Sequence, residues 1–483
     1  MNRAGLVGDK LKLLNEDEVE LIHESALKLL KNLGVKVDSE EFLEILEGNG
    51  ARVNYENGRA KLSPELVRDY LEIAPSRITL HGRKKEYDLS LEDRKVHYGT
   101  GGAAVKILDL NSEEVRSSTL EDQARLARLV ENLDNVHFFQ APVVPTDVPE
   151  EDLSLNSVYA SLTGTHKNVQ ESVTSPEKVD EIVDMGAIIA GSREEFLARP
   201  FVSFVTSWMV SPLKLDIETT KVLRRITNYK IPVALSTAPV TGSTAPATLS
   251  GLLVQVHAEE LFGITLAQMF SEETPVLYGP VPAAANMKNM AYLAGAPETG
   301  MMNAATVQLA NHIDVPIYSD AGETDSKLPD TQAGAEAALN LLQVGLAGGN
   351  YIHHAAGMME SMLCVADEKF VIDNDIIGMA LRVLQGIDVD QDKLGLDVIE
   401  EVGPGNNFLT QPHTVNYSRS DEFYKPSVVD REDRTTWENN GSMETRPRAR
   451  KRARELLEDV EDNLLPEDVD EKIRDRFNIH LPK

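Results

Sequence analysis

VPIYSDAGETDSKLPDTQAGAEAALNLLQVGLAGGNYIHHAAGM, residues 315–358, contains a complete strand–helix–strand unit. VPIYSDAG is apolar at its start and polar at its end, as a strand covered on both faces should be. Asp330 stands where a helix N-cap belongs, and Gly348 and Gly349 mark the stop. YIHHAAGM then repeats the first run: an apolar start, polar groups, and a glycine.

The same rhythm extends outward on the N-terminal side. KVHYGTGGAAVKILDL (95–110), a possible hairpin because glycines interrupt it, precedes a helix capped by Thr119. HFFQAPVV (137–144) precedes a helix near 150–163, and KNVQESV (167–173) one that Ser175 caps and Pro176 opens. FVSFVTSWMV (201–210), PVALSTAPV (232–240) and PVLYGPV (275–281) lead into helices near 215–228, 246–271 and 297–312. The last unit ends in a helix near 370–386. Eight such units predict an α/β chain with a parallel sheet, and eight is the number that closes a (β/α)8 TIM barrel. An open doubly wound sheet is the rival, but GTGG at 99–102 lacks the G-x-G-x-x-G spacing of a nucleotide-binding turn.

Three parts follow: a helical N-terminal extension over 1–90, a TIM-barrel catalytic domain over 91–390, and a C-terminal extension over 391–483 that packs on the barrel. Ser39 and Ser63 read as N-caps in the first part. In the last, RPRARKRARELLEDVEDNL (446–464) sets its basic residues before its acidic ones, against the helix dipole, and reads as a solvated helix with local salt bridges.

The 483 residues carry 48 Lys plus Arg against 78 Asp plus Glu, a formal charge of −30. That excess excludes nucleic acid or an anionic membrane surface as the main partner. The single cysteine, Cys364, excludes an intrachain disulfide and any zinc site built from several thiolates of this chain. No secretory signal opens the chain and no apolar run is long enough to span a bilayer, so a cytoplasmic protein is expected.

Barrel enzymes work at the C-terminal ends of their strands. Those ends offer Tyr98, Thr100, Gln140, Gln170, Glu171, Ser207, Trp208, Ser236, Thr237, Tyr278, Ser319, Asp320, His353 and His354. No Arg is among them, and Lys327 sits in the loop after the seventh strand, so a phosphate site is poorly supported. Rings at Tyr98, Trp208 and Tyr278, with carboxylates at Glu171 and Asp320 and at loop residues Glu323 and Asp325, describe a cage for a cation. Each ring on its own is more often barrel filling. His353 and His354 are adjacent in a strand, so one should face the lumen and the other pack. No metal site is expected, because a set of two histidines and a carboxylate would have to come from distant strands. Lys327 is a candidate for Schiff-base chemistry, and Asp320 and Asp325 are the other loop candidates for catalysis.

HYGTGGAAVKILDL (97–110), STAPVTGSTAPATLSGLLVQVHAE (236–259), GAPETG through GGNYI (295–352) and GPGNNFLTQPHT (403–414) resemble the trimethylamine methyltransferase (MttB) superfamily over nearly the whole chain. The resemblance implies a TIM-barrel methyltransferase of one-carbon metabolism, as in methanogenesis or acetogenesis. Such an enzyme moves a methyl group from an amine to the Co(I) corrinoid of a separate protein. It implies no tightly bound cofactor in this chain, a corrinoid (cobalamin) protein as partner, and a homo-oligomer. The archaeal trimethylamine enzyme carries pyrrolysine on the loop after a late strand, whereas Thr324–Asp330 here holds only standard residues. Relatives without pyrrolysine act on quaternary amines, glycine betaine being the best match. A quaternary nitrogen is already positive, so a neutral amine leaves without further activation. Thr100, Ser236, Thr237, Lys327, His353 and His354 are the candidate donors to a betaine carboxylate. Trimethylamine or another methylamine as substrate, a Schiff-base lyase, and a non-catalytic betaine-binding protein are the alternatives.

Overall fold

A computed structural model describes residues 5–458, 461 and 463–483; residues 1–4, 459, 460 and 462, which fall in the two terminal stretches read above, lie outside the described residues. The architecture is α/β. Eight strands alternate with eight long helices: β1 (Lys95–Tyr98), α1 (Leu120–Glu131), β2 (Phe139–Gln140), α2 (Glu150–Gly164), β3 (Val169–Ser172), α3 (Pro176–Ala190), β4 (Val202–Thr206), α4 (Ile217–Tyr229), β5 (Val233–Thr237), α5 (Leu249–Phe270), β6 (Val276–Pro280), α6 (Pro297–His312), β7 (Tyr318–Asp320), α7 (Thr331–Ala347), β8 (Tyr351–His353) and α8 (Asp367–Gln385).

All eight strands run parallel. β2 to β6 form one sheet in chain order, while β7, β8 and β1 are neighbours in another. At each seam a single parallel bridge, Tyr278 to Ile317 or Gly99 to Phe138, stands in place of a continuous ladder. Full strand pairing therefore does not close the ring. The caps expected at Ser39, Ser63, Thr119 and Asp330 each accept a backbone N–H of their helix, whereas Ser175 makes no side-chain cap.

Three expectations change. Residues 95–110 are not a hairpin. The chain turns away after β1 through Gly102, at φ +137°, and Lys106–Leu108 joins a separate small sheet with Val115–Ser117 and Cys364–Ala366. The N-terminal part is not purely helical: its helices Glu16–Asn32, Glu40–Gly48 and Pro64–Ile73 are interleaved with short strands. One antiparallel pair, Ile78–Leu80 with Leu89–Leu91, buries Ile78, Leu80, Leu89 and Leu91 against Phe138, Val205, Ala234, Leu277, Tyr318 and Tyr351. That hairpin is a floor beneath the inner faces of the strands. The basic helix Thr445–Glu458 also does more than float on local salt bridges. Arg446 pairs with Glu368 at 3.0 Å, Arg454 donates to the Leu110 carbonyl at 2.9 Å, and Ala449, Ala453 and Leu456 are buried.

No described helix is long and apolar enough to cross a membrane.

Candidate functional site

Tyr318 and Tyr351 belong to the floor cluster, and they face each other in the β7–β8 register. Side chains two residues apart in a strand share a face. Asp320 and His353, also opposite each other, therefore stand on the same inner side, one layer nearer the strand ends. The His353 ring stacks on Tyr318, centroids 3.8 Å apart. Tyr318 is 5.6 Å from Tyr351, which in turn stacks on Phe138 at 3.5 Å.

His354 breaks the alternation expected of it. Its backbone is left-handed, at φ +57°, so the side chain is not thrown to the outer face. Its Nδ1 lies 2.9 Å from Asp320 Oδ1 and 2.8 Å from Glu323 Oε1, and its ring centroid is 3.9 Å from that of His353. His354 thus reaches both carboxylates, with His353 beside it, and all four residues are buried.

The electrostatics follow from that crowding. Burial opposes charge on His354, but Glu323 and Asp320 outweigh it and raise its pKa, which favours the protonated ring. Burial, with the neighbouring Asp320, pushes the Glu323 carboxyl up. His353 is held neutral, because burial and the charge of His354 drive its pKa far down. Burial likewise raises the Tyr292 hydroxyl, helped by Glu323, Asp320 and Asp325, which places this ring in the same acidic field.

The inner wall continues this polar character. Gln140 donates from Nε2 to the Tyr318 hydroxyl at 3.0 Å. Gln140 Oε1, both amide atoms of Gln170, and both ring nitrogens of His353 are buried without a protein partner. Such atoms are rare in native proteins, and these line the inner face of the strands.

The other sequence candidates separate by strand face. Ser236 shares the face of Ala234, which is in the floor cluster, and is half-buried. Tyr98, Glu171, Trp208, Thr237 and Tyr278 turn outward to the helices. Tyr98 donates to the Leu341 carbonyl of α7 at 3.0 Å, and Glu171 accepts from Ser157 of α2. Burial pushes Glu171 up to about 7, against the bonds from Ser157 and the Ser172 amide. The indole of Trp208 lies parallel to Phe262 of α5 at 6.3 Å, fully buried. Thr237 donates to Glu260 at 2.7 Å, and the Tyr278 hydroxyl sits 3.0 Å from His257 Nδ1, both partners on α5. Thr100 donates to the Gln140 carbonyl at 2.6 Å and ties two strand ends together. Asp325 holds loops, accepting from the Ala294 amide at 2.9 Å and Ser361 at 2.6 Å. Lys327 is exposed, with Nζ on the Asp325 carbonyl at 2.6 Å, and lacks the desolvation that a Schiff-base lysine needs.

The aromatic wall is therefore Phe138, Tyr318 and Tyr351 instead of Tyr98, Trp208 and Tyr278. Parity was the available signal, since Tyr318 and Tyr351 each lie two residues before a polar candidate. The separation of the metal-type ligands also disappears, because Asp320 and His353 lie on neighbouring strands.

The family model described as trimethylamine methyltransferase (MTTB) matches residues 7–479. A glycine betaine methyltransferase of Desulfitobacterium hafniense (strain Y51) is 34% identical over 468 residues, covering 96% of each chain. A trimethylamine methyltransferase MttB from strain DSM 10664 / DCB-2 of the same species is 32% identical over 470 residues, 97% of this chain and 93% of that one. Among solved structures, a hydroxylamine complex of MtmB overlays at a TM-score of 0.49 and 13% identity, over 95% of this chain and 96% of that one.

Proposed function

The chain belongs to the trimethylamine methyltransferase (MTTB) family and is an enzyme of the methyltransferase type, and from that premise we propose that it takes a methyl group from a quaternary amine and delivers it to the reduced corrinoid of a separate protein in the cytoplasm. On this reading the eight parallel strands are a (β/α)8 barrel, with residues 91–390 as its catalytic domain. Glycine betaine is the favoured substrate, in keeping with the name of a 34% identical relative.

One observation supports the reading above the rest. Two buried carboxyl groups, Asp320 and Glu323, crowd the one His354 ring, so acidic oxygens line the inner surface beside the Tyr318 and Tyr292 rings. A quaternary ammonium cannot donate a hydrogen bond, and aromatic faces with carboxylates are what bind it.

The partner's corrinoid supplies the nucleophile. The methyl carbon–nitrogen bond breaks as the carbon–cobalt bond forms, and nitrogen keeps the electron pair as a neutral tertiary amine. Positive charge on nitrogen is discharged in that step, so the carboxylates hold and orient the substrate more than they lower the barrier. The floor hairpin and the aromatic stack exclude water from beneath the reacting group.

The test is to mix the enzyme with a corrinoid protein held as Co(I) and follow methylation of the corrinoid by its visible spectrum. Methylation from glycine betaine is expected, with little from trimethylamine. Methylation from trimethylamine alone would overturn the quaternary assignment.

A further inference from the structure

We propose that Asp320, His353 and His354 form a binding site for a divalent transition-metal ion of the zinc class. One ligand atom from each of these buried residues lies within 4.8 Å of the other two. Ligand atoms sharing a zinc ion at about 2.0–2.1 Å stand roughly 3.3 Å apart in a tetrahedron. Asp320 Oδ1 and His354 Nδ1 are already 2.9 Å apart. The ion would displace the proton between them, and small side-chain rotations complete the set.

A second observation points the same way. His353 is 1% exposed, faces Asp320 across the β7–β8 register, and has no protein partner on either ring nitrogen. An imidazole with a bare nitrogen aimed at a carboxylate is prepared to ligate. Two histidines and one carboxylate leave a coordination position open, the composition of a reactive site and not of a closed structural one. Glu323 Oε1 lies 2.8 Å from the same His354 Nδ1 and adds negative charge beside the ion. Asp320 and His353 also sit on regular strands, which fix their geometry.

The ion would resolve a problem of charge. The strand ends carry no Lys or Arg, and Lys327 is exposed and bonded within its own loop. The His354 ring there is already engaged by Asp320 and Glu323, so the carboxylate of a betaine lacks a free cationic anchor, and the open coordination position would supply one. That consequence rests on the function proposed above; the ion site itself does not.

The experiment uses the full-length protein, stripped with a chelator and titrated with Co2+, then Zn2+. Saturation at one equivalent, with the visible bands of a low-symmetry Co(II) site that Zn2+ bleaches, is expected. His353→Ala and Asp320→Asn should each weaken binding at least a hundredfold. Circular dichroism checks that each variant is folded. Nitrogen hyperfine splitting in the Cu2+-loaded wild type counts the imidazoles without recourse to any variant. No saturable Co2+ binding, fewer than two imidazoles on copper, or unchanged binding in folded His353→Ala overturns the proposal. Corrinoid methylation by a metal-free enzyme that binds no Co2+ would remove the ion site and leave the proposed function standing. Tight Co2+ binding without methyl transfer would do the reverse.

Discussion

Trp208 and Tyr318 show how one position along a strand decides a side chain's work. The indole of Trp208 fills the space left by Gly263, where an added Cβ would come within 2.3 Å of Cζ2. Trp208→Ala should therefore cost about 3–5 kcal/mol of stability, as large-to-small core changes do. Urea denaturation measures the loss, and substrate affinity of the folded fraction should not change. Tyr318 presents its ring on the inner face beside Asp320 and His353. Tyr318→Ala should weaken binding of a quaternary amine by about 1–2 kcal/mol, and Tyr318→Phe, which keeps the ring, by much less. Calorimetry with glycine betaine tests both, and equal losses would point to the hydroxyl instead. Reading the strand ends singles out Trp208 and passes over Tyr318, because a shift of one residue in a strand boundary exchanges the two faces. His354 escapes pattern reading for another reason: its left-handed backbone breaks the alternation on which the pattern depends.

Among the elements, α1 is fastened by a residue that composition would place at the surface. Lys167 is fully buried and donates to the carbonyls of Val130, Leu133 and Val136, the last two at 2.9 and 2.6 Å. It satisfies acceptors at and just beyond the C-terminus of α1, where helix carbonyls lack partners. Lys167→Met keeps the stem but strands those acceptors, and should cost on the order of 2–4 kcal/mol. A thermal melt checks it, and an unchanged midpoint would show that other donors replace the ammonium. The strand–helix units themselves are legible in the sequence, because apolar runs and helical patterns alternate without interruption. The floor hairpin is not, because RITLHGRKKEYDLSL (77–91) joins two short strands through a charged turn and reads as surface.

On the scale of the whole molecule, stability depends on opposed buried charges. His23, on the N-terminal helix, places Nδ1 2.9 Å from His257 Nε2, and His257 in turn meets Tyr278. Burial, with the charge of His312, lowers His23 to about 4, and burial holds His257 well below the ordinary range. An unfolded histidine titrates near 6.5. Between about 6.5 and 4 the unfolded chain thus binds more protons at these sites, and their contribution, complete above 6.5, is lost as the pH falls. Buried carboxyls such as Glu171 act in the opposite sense, so the profile of the wild type mixes the two. Comparison with His23→Gln isolates the histidine share: the advantage of the wild type in chemical denaturation should shrink from pH 7.5 to pH 4.5. A constant difference would mean that His23 accepts its proton without opening the contact.

The hairpin beneath the strands also has a kinetic meaning. In the barrel proposed here, a lumen stoppered at one end has a single door. On the function proposed here, the amine enters by that door, the corrinoid protein then covers it, and the demethylated amine has no second exit. Turnover must be ordered, with amine first on and last off, and departure of the partner protein becomes the event that releases product.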